Sequence, residues 1–232
     1  MPERAWQVAV IDSGVGPLPS PGVIRVRRFV DEGDRVEEHE PVADPIGHGT
    51  VVAGIIASAA QPVQLFLAQV LNEHGRSTAA TLAAAIDWAL AQRAQLLHIS
   101  LGLAHDRPVL RVAIERAIAA GALVVASMPA RGAAAYPACY PGVIRATGDA
   151  RCAKEEISHL GTSAVDFGAC PLDRSGLATI SRGASIGAAH LSRFIVTHVA
   201  AGRPRPVAWE RLIQLATFRG PERHYRLPVS AS

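Results

Sequence analysis

A serine at the start of a predicted helix is the first residue whose setting suits chemistry. Ser185 follows two small residues, Gly183 and Ala184, and an apolar segment with helical spacing continues from it to about Ala200. At the first turn of a helix, a hydroxyl lies near free backbone N–H groups and the positive end of the helix dipole. That setting suits a nucleophile whose attack generates an oxyanion. A plain helix cap is the alternative for this segment taken alone.

Two further side chains that can hold or move a proton stand at element ends. Asp12 follows Trp6–Ile11, an apolar, valine-rich run that predicts a buried parallel strand. His48 lies between glycines in Gly47–Thr50, where a helix over Val51–Ala59 opens. Active sites gather at the carboxyl ends of strands in open α/β sheets. A simple Asp-Ser-Gly turn and a structural histidine are the alternative interpretations.

The elements that must position these side chains alternate between strands and helices. The alternation predicts a doubly wound α/β fold, with a mostly parallel sheet flanked by helices, in a single domain over residues 1–232. Residues 203–232 are expected to form a C-terminal helix and tail. Pro17–Pro45 is expected to be loop-like outside one strand, with a solvated acidic patch at Asp31–Glu40, and His98 to be a core histidine. Further strands are predicted at Val23–Val30, Val63–Leu71, Leu96–Leu101, Leu123–Ser127 and Val143–Thr147, and helices at Ser77–Arg93, Val109–Ala120 and Pro204–Phe218.

Composition excludes several classes of protein. The chain has 232 residues, 49% hydrophobic and 19% charged, which predicts a folded domain with a sizeable core. Its net charge of +3 comes without a dense basic run, so nucleic-acid binding is not indicated. Neither a signal peptide nor a membrane-spanning apolar run is present, which predicts a soluble, cytoplasmic protein with no membrane partner. The three cysteines (Cys139, Cys152 and Cys170) lack metal-ligand spacing and are expected to be reduced thiols.

Asp12, His48 and Ser185 stand in the order Asp, His, Ser within the motifs Val10–Val15, Gly47–Gly54 and Gly183–His190. On these motifs the sequence resembles the subtilisin-like serine peptidases, or subtilases. Between the three motifs, two segments follow the family's central helix and substrate strand, and a third resembles the segment after its oxyanion loop. The ordered match runs from roughly Trp6 to Ala201; the first two motifs are specific and the serine motif is degenerate. The intervening segments are Ala85–Ala89, His98–Gly102 and Tyr136–Ile144.

The resemblance implies a separate catalytic role for each of the three residues. Ser185 Oγ would attack a peptide carbonyl, and His48 would take its proton and return it to the leaving amine. Asp12 would hold the tautomer of the imidazole and stabilise the imidazolium as it forms. This chemistry requires neither a metal nor another cofactor.

The resemblance also implies where a peptide or protein substrate would bind. The substrate would lie as an extended strand between two segments of the chain, with a side-chain pocket for the residue before the cleaved bond. Met128 and Pro129 are larger than the family's usual residues and are expected to narrow this pocket. The strand-binding residues are Ser100, Leu101 and Gly102 on one side and Gly75–Thr78 on the other, and the pocket residues are Ser127, Met128 and Pro129.

The sequence departs from the family at the oxyanion site. Ala130 stands where the family has an asparagine, and losing that donor costs about 10²–10³ in rate in a subtilisin, a member of the family that this sequence resembles. Ala184 and Ala189 replace the threonine and proline usual around the nucleophile. The Ser185 N–H remains as one donor. Arg131, the substrate or a partner are the candidates for the second.

Three further expectations follow from segments that differ from the family. Gly161-Thr162-Ser163 matches the family's serine motif more closely than the Ser185 segment does. The residues after it cannot continue as a helix, however, so Ser185 is preferred as the nucleophile. The short segment before Val63 predicts no calcium loop. The short stretch before Trp6 predicts that the chain folds without an inhibitory propeptide.

These observations predict a serine endopeptidase of narrow specificity that trims a leader or precursor peptide, with a maturation partner protein as a further candidate. Short leader peptidases of modified-peptide and quinone-cofactor maturation are the nearest kind. The alternative is a pseudopeptidase, a binding module for a peptide or partner, motivated by Ala130 and Ala184. An esterase of the α/β-hydrolase fold is disfavoured, because that fold places Ser before Asp and His in the chain.

Overall fold

The computed structural model of the chain describes residues 5–17, 23–129, 135–173 and 182–222. Within these ranges, ten strands form one mostly parallel sheet and five helices pack beside it, which confirms the predicted α/β class. The helices are α1 His48–Ala57, α2 Ala79–Ala91, α3 Pro108–Ala119, α4 Ala184–His198 and α5 Arg205–Leu215. The strands are β1 Trp6–Asp12, β2 Val23–Asp31, β3 Val36–His39, β4 Val63–Gln69, β5 Leu96–Ile99, β6 Leu123–Ser127, β7 Ile144–Gly148, β8 Ile157–His159, β9 Phe167–Ala169 and β10 Phe218–Arg219.

The strand order sets which chain segments meet at the site. It runs β10-β8-β9-β7-β6-β5-β1-β4-β2-β3, with antiparallel pairing only at β2–β3 and β8–β9 among the described strands. β1 therefore lies between β4 and β5, with Ile11 opposite Ile99 in the register. Because these strands are parallel, their carboxyl ends, at Asp12, Gln69 and Ile99, share one edge of the sheet.

The central strands are apolar on both faces because helices cover both sides of the sheet. In β1, Val8 and Val10 belong to the core formed with α1, α4 and α5, while Ala9 and Ile11 belong to the core formed with α2 and α3. This alternation follows from the two-residue repeat of a strand, and burial on both faces explains the unbroken apolar run. The strand predicted at Trp6–Ile11 is confirmed, with Asp12 as its last residue.

The structure corrects the expectation of a loop up to Pro45. Val36–His39 forms the edge strand β3, paired antiparallel with β2. Its glutamates stay at the surface, and Glu38 accepts a hydrogen bond from the Arg27 side chain at 2.7 Å. An edge strand exposes charged side chains without losing its backbone pairing, so its hydrophobic pattern is weak.

Several element ends also differ from the predictions. α1 begins at His48, before the predicted start at Val51. β4 and β5 end at Gln69 and Ile99, each two residues earlier than predicted. α2 starts only after Thr78, whose side chain caps the helix. Within the described ranges, no helix is long and apolar enough to cross a membrane.

Candidate active site

Asp12 lies at the carboxyl end of β1 and is 1% exposed. Its Oδ1 accepts hydrogen bonds from the Ser13 backbone N–H and from His48 Nδ1, each at 2.7 Å. The other oxygen, Oδ2, is buried and has no hydrogen-bond partner among the described residues. A carboxylate in this position fixes the tautomer of the imidazole, because Nδ1 carries the proton and Nε2 is left as the basic nitrogen.

His48 is brought to Asp12 by the close approach of α1 to the end of β1. A Cβ built at Gly49 would lie 2.2 Å from the Gly14 carbonyl oxygen and 3.2 Å from Asp12 Cβ, so only glycine fits there. The Gly49 N–H also donates to Ser13 Oγ at 2.9 Å. The glycine after the histidine therefore permits the contact between the two elements.

The environment of His48 favours its charged form. Burial acts to lower the pKa of the imidazole, but the hydrogen bond to Asp12 and the charges of Asp12 and Asp44 outweigh it and raise the pKa. The side chain keeps 27% of its surface exposed, so the ring is open on one side. An imidazole held by a buried carboxylate and open on one side can serve as a general base.

Asp44 is a site residue that the sequence motifs do not single out. Its carboxylate accepts hydrogen bonds from the backbone N–H of Gly47 at 2.8 Å and of Thr50 at 2.9 Å, and from the Thr50 hydroxyl at 2.6 Å. Burial acts to raise the pKa of Asp44, but the hydrogen bonds from Thr50 and Ser13 hydroxyls and from the backbone lower it overall. Asp44 thus supplies the cap that Gly47 cannot. The only sequence signal is an aspartate shortly before the Gly-His-Gly-Thr motif.

Ser185 is the second residue of α4, and its hydroxyl donates to the Ser100 carbonyl at 3.2 Å. Within the part of the chain described, no hydrogen bond joins Ser185 to His48. A Cβ at Gly187 would lie 2.2 Å from the Thr147 carbonyl, so the start of α4 is held tightly against the end of β7. The structure therefore brings Asp12 and His48 into contact and places the Ser185 hydroxyl just beyond β5, the neighbour of β1.

Ser185, the predicted nucleophile, and Gly161–Ser163, which match the family's serine motif more closely, differ in their surroundings. Thr162 closes a turn in which its hydroxyl accepts from the Val165 N–H at 2.9 Å, and no helix follows it. The Ser163 carbonyl accepts a hydrogen bond from the Arg145 guanidinium, on the β7 side of the sheet. These contacts support the preference for Ser185, whose helical setting differs from that turn.

The residues predicted to bind substrate lie at varied depths. Ser100 is 8% exposed, Leu101 is half-buried and Gly102 is exposed, so this segment leads outward from Ser185. Gly75 is exposed on the loop after β4. Ser127 and Met128 are buried, with Met128 in the core beside α2 and α3, while Pro129 is exposed. Ala130 and Arg131 lie outside the described residues, and the binding roles of all these residues stay predictions.

His98 is a core histidine that is also hydrogen-bonded to residues near the candidate site. It is fully buried in β5, and its Nδ1 is hydrogen-bonded to Ser192 Oγ at 2.9 Å, while its Nε2 is hydrogen-bonded to Ser100 Oγ. Burial lowers its pKa to about 4, with the charge of Asp12 acting to raise that pKa and the charge of His48 acting to lower it. His98 is therefore neutral and lies within electrostatic reach of the Asp12–His48 pair.

Two other features of the described residues bear on ligands. No group of three or more His, Cys, Asp and Glu side chains in the described ranges is arranged to hold a metal ion. A cavity of about 340 Å³ opens between the ends of β2 and β4 and the start of α2, lined by Arg28, Asp31 and Arg76 among others. Neither Asp12 nor His48 nor Ser185 lines this cavity.

The sequence model of the Subtilase family matches residues 3–175. The chain belongs to the subtilase family. The matched residues of this subtilase include Asp12 and His48 and end before Ser185. The family assignment agrees with the sheet and with the strand-end position of the Asp12–His48 contact.

Curated relatives of this subtilase include secreted and intracellular proteases. Minor extracellular protease Epr of Bacillus subtilis is 29% identical over 177 residues, covering 70% of this chain and 26% of that protein. Intracellular serine protease of Paenibacillus polymyxa is 31% identical over 160 residues, covering 61% of this chain and 48% of that protein. Subtilisin DY of Bacillus licheniformis is 33% identical over 153 residues, covering 60% and 54%. The chain thus spans about a quarter to a half of the length of these relatives.

Proposed function

We propose that the chain is a serine endopeptidase that uses Ser185 as nucleophile, His48 as general base and acid, and Asp12 as the residue that orients His48. The observation that carries the proposal is the 2.7 Å hydrogen bond between the buried Asp12 carboxylate and a partly exposed His48 at the carboxyl edge of the sheet. The family membership of the chain supports the same reaction class.

The reaction begins with a rotation of the Ser185 hydroxyl. The hydroxyl leaves the Ser100 carbonyl and donates to His48 Nε2. As the Oγ–carbon bond to the peptide carbonyl forms, Nε2 takes the hydroxyl proton, and Asp12 stabilises the resulting imidazolium. Substrate backbone N–H groups are natural donors to the carbonyl that Ser185 vacates.

Collapse of the tetrahedral intermediate completes the first half of the reaction. The peptide C–N bond breaks, and the imidazolium gives its proton to the leaving amine nitrogen. A water molecule then attacks the acyl-serine carbonyl, loses a proton to Nε2 and releases the new carboxyl end as Ser185 regains its proton. The Ser185 N–H, in the first turn of α4, has no intrahelical partner and is a donor for the oxyanion.

We further infer that the whole chain, residues 1–232, acts as one minimal peptidase domain on a leader or precursor peptide in the cytoplasm. The relative named as an intracellular serine protease supports this compartment. Narrow specificity is supported by Met128 and Pro129, which are larger than the residues that the family has in the wall of this pocket. A maturation partner that completes the oxyanion site belongs to the same proposal.

A fluorophosphonate probe tests the reaction class, because it reacts with an activated serine. Wild-type protein should carry the label on Ser185 by peptide mass spectrometry. The matched control Ser163→Ala should be labelled like wild type, Ser185→Ala should not be labelled, and His48→Ala should be labelled far more slowly. Label on Ser163, or no label on wild type, would overturn the proposal; the latter result together with retained peptide binding would instead indicate a pseudopeptidase.

A second experiment addresses the substrate. Candidate precursor peptides are incubated with wild-type protein and with Ser185→Ala, and the products are identified by mass spectrometry. Cleavage at one site in one precursor class, only with wild type, supports leader trimming. Cleavage of casein and other unrelated proteins at many sites would contradict narrow specificity.

A further inference from the structure

The buried imidazole of His98 connects the strand and the helix that meet at Ser185. Both ring nitrogens are hydrogen-bonded: Nδ1 to Ser192 in α4, and Nε2 to the hydroxyl of Ser100, just after β5. The ring is fully buried, as is Ser192. Because both side chains are shielded from solvent, water cannot replace either hydrogen bond. Breaking one of them therefore leaves a polar group unpaired in the core.

Ser192 and Ser185 lie on the same side of α4. They are seven residues apart, which is two helical turns, and residues at this spacing share a face. Both contact the same short segment of chain: Ser192 through His98, and Ser185 through the Ser100 carbonyl at 3.2 Å. Ser100 therefore has its hydroxyl held by His98 and its carbonyl bonded to Ser185.

We propose that His98 is a positioning residue for catalysis, which fixes the Ser100 backbone and α4 relative to each other and so sets the place of Ser185 Oγ beside His48. This inference rests on the proposed function of Ser185. It assigns to the buried bridge Ser192–His98–Ser100 a role in the rate of serine attack, beyond its role in packing.

The neutral state of the His98 ring suits this role. A neutral imidazole has one N–H donor and one acceptor nitrogen. It can therefore donate a hydrogen bond to one hydroxyl and accept a hydrogen bond from another. Ser100 and Ser192 provide these hydroxyls. A cation at this position would oppose the imidazolium that forms on His48 during the reaction, and burial disfavours that cation.

The test compares acylation kinetics in variants that keep the fold. His98→Phe keeps an aromatic ring but removes both hydrogen bonds, Ser192→Ala removes one, and His98→Gln keeps a donor and an acceptor. His190→Phe is the matched control, because His190 is a buried histidine, 4% exposed, on the same helix but bonded to the Leu172 carbonyl. Labelling with an alkyl fluorophosphonate over a concentration series gives kinact and KI, and circular dichroism gives the folded fraction.

The expected result is a loss in kinact with KI unchanged. His98→Phe should lower kinact per folded molecule roughly 10-fold to 100-fold, since a displacement of about 1 Å costs on the order of 10²-fold. Ser192→Ala should lose less, His98→Gln should recover part of the rate, and His190→Phe should react like wild type. If His98→Phe does not fold, Ser192→Ala decides by the same measure.

Three outcomes overturn the inference in distinguishable ways. If wild type is labelled and the folded His98 or Ser192 variants keep the wild-type kinact, only the positioning role is refuted. If wild type is not labelled at Ser185, the proposed function fails and this inference fails with it. A loss in His190→Phe as large as in His98→Phe would assign the effect to core packing and refute the positioning role.

Discussion

Replacing Gly49 by alanine tests how the start of α1 is held against β1. The new Cβ would lie 2.2 Å from the Gly14 carbonyl oxygen, 3.0 Å from the Gly14 nitrogen and 3.2 Å from Asp12 Cβ. These neighbours are backbone or buried atoms that cannot rotate away. The start of α1 must therefore move away from β1 by about 1 Å, because the new Cβ and the Gly14 carbonyl oxygen cannot overlap. This movement pulls His48 Nδ1 away from Asp12 Oδ1, now 2.7 Å distant.

Two magnitudes follow from this displacement. Overpacking of a well-packed site costs about 1–3 kcal/mol in the free energy of unfolding. For a chain of this size, that cost lowers Tm by roughly 2–12 °C. A misplacement of about 1 Å in the catalytic geometry lowers the rate of serine acylation on the order of 10²-fold.

The assay measures Tm by circular dichroism and acylation by fluorophosphonate labelling below the Tm of every variant. Gly16→Ala is the matched control, because Gly16 lies on the loop that also holds Gly14 and its Cβ would lie 3.5 Å from Thr50 Oγ1, an ordinary contact. The control should behave like wild type in both measurements. A Gly49→Ala protein with wild-type Tm and wild-type acylation would refute the tight contact between α1 and β1.

Three further predictions concern titration and capping. If neutral His48 is the base, as proposed, acylation should rise with pH through the raised pKa of His48. Asp12→Asn should then move the midpoint of a pH–rate profile to lower pH and reduce the maximum by about 10⁴-fold, the loss known for the same substitution in a Ser-His-Asp protease, and an unmoved midpoint would contradict the coupling. Asp44→Ala should lower the free energy of unfolding by about 1 kcal/mol in urea denaturation through loss of the α1 cap, and should also lower the pKa of His48 in proton NMR; a variant as stable as wild type would show that the cap is dispensable. Burial raises the pKa of the Cys152 thiol to about 12, so at neutral pH iodoacetamide should alkylate the half-buried Cys139 and Cys170 first, as followed by peptide mass spectrometry, and early modification of Cys152 would argue against its burial.

The local sequence is sufficient to predict the central strands and the positions of the candidate catalytic residues along the chain. β1 and β6 are apolar on both faces, so they stand out as uninterrupted runs, and Asp12 marks where the first of them ends. Gly49, after His48, and Gly187, after Ser185, mark places where backbone must approach closely. Short strands such as β3, at the edge of the sheet, and β8, next to the last strand at the other end, carry no such run, and their pairing partners define them.

Only the tertiary structure decides which side chains meet. His98 and Ser192 are 94 residues apart, and no local pattern relates them; their contact exists because β5 lies in the sheet where α4 crosses it. The Asp44 cap likewise depends on a turn that folds its carboxylate back onto α1. The Ser185 hydroxyl could face several partners from its helix start, and the position of the Ser100 carbonyl determines which one it meets. Side-chain hydrogen bonds between distant elements depend on how those elements pack, and packing is a property of the whole chain.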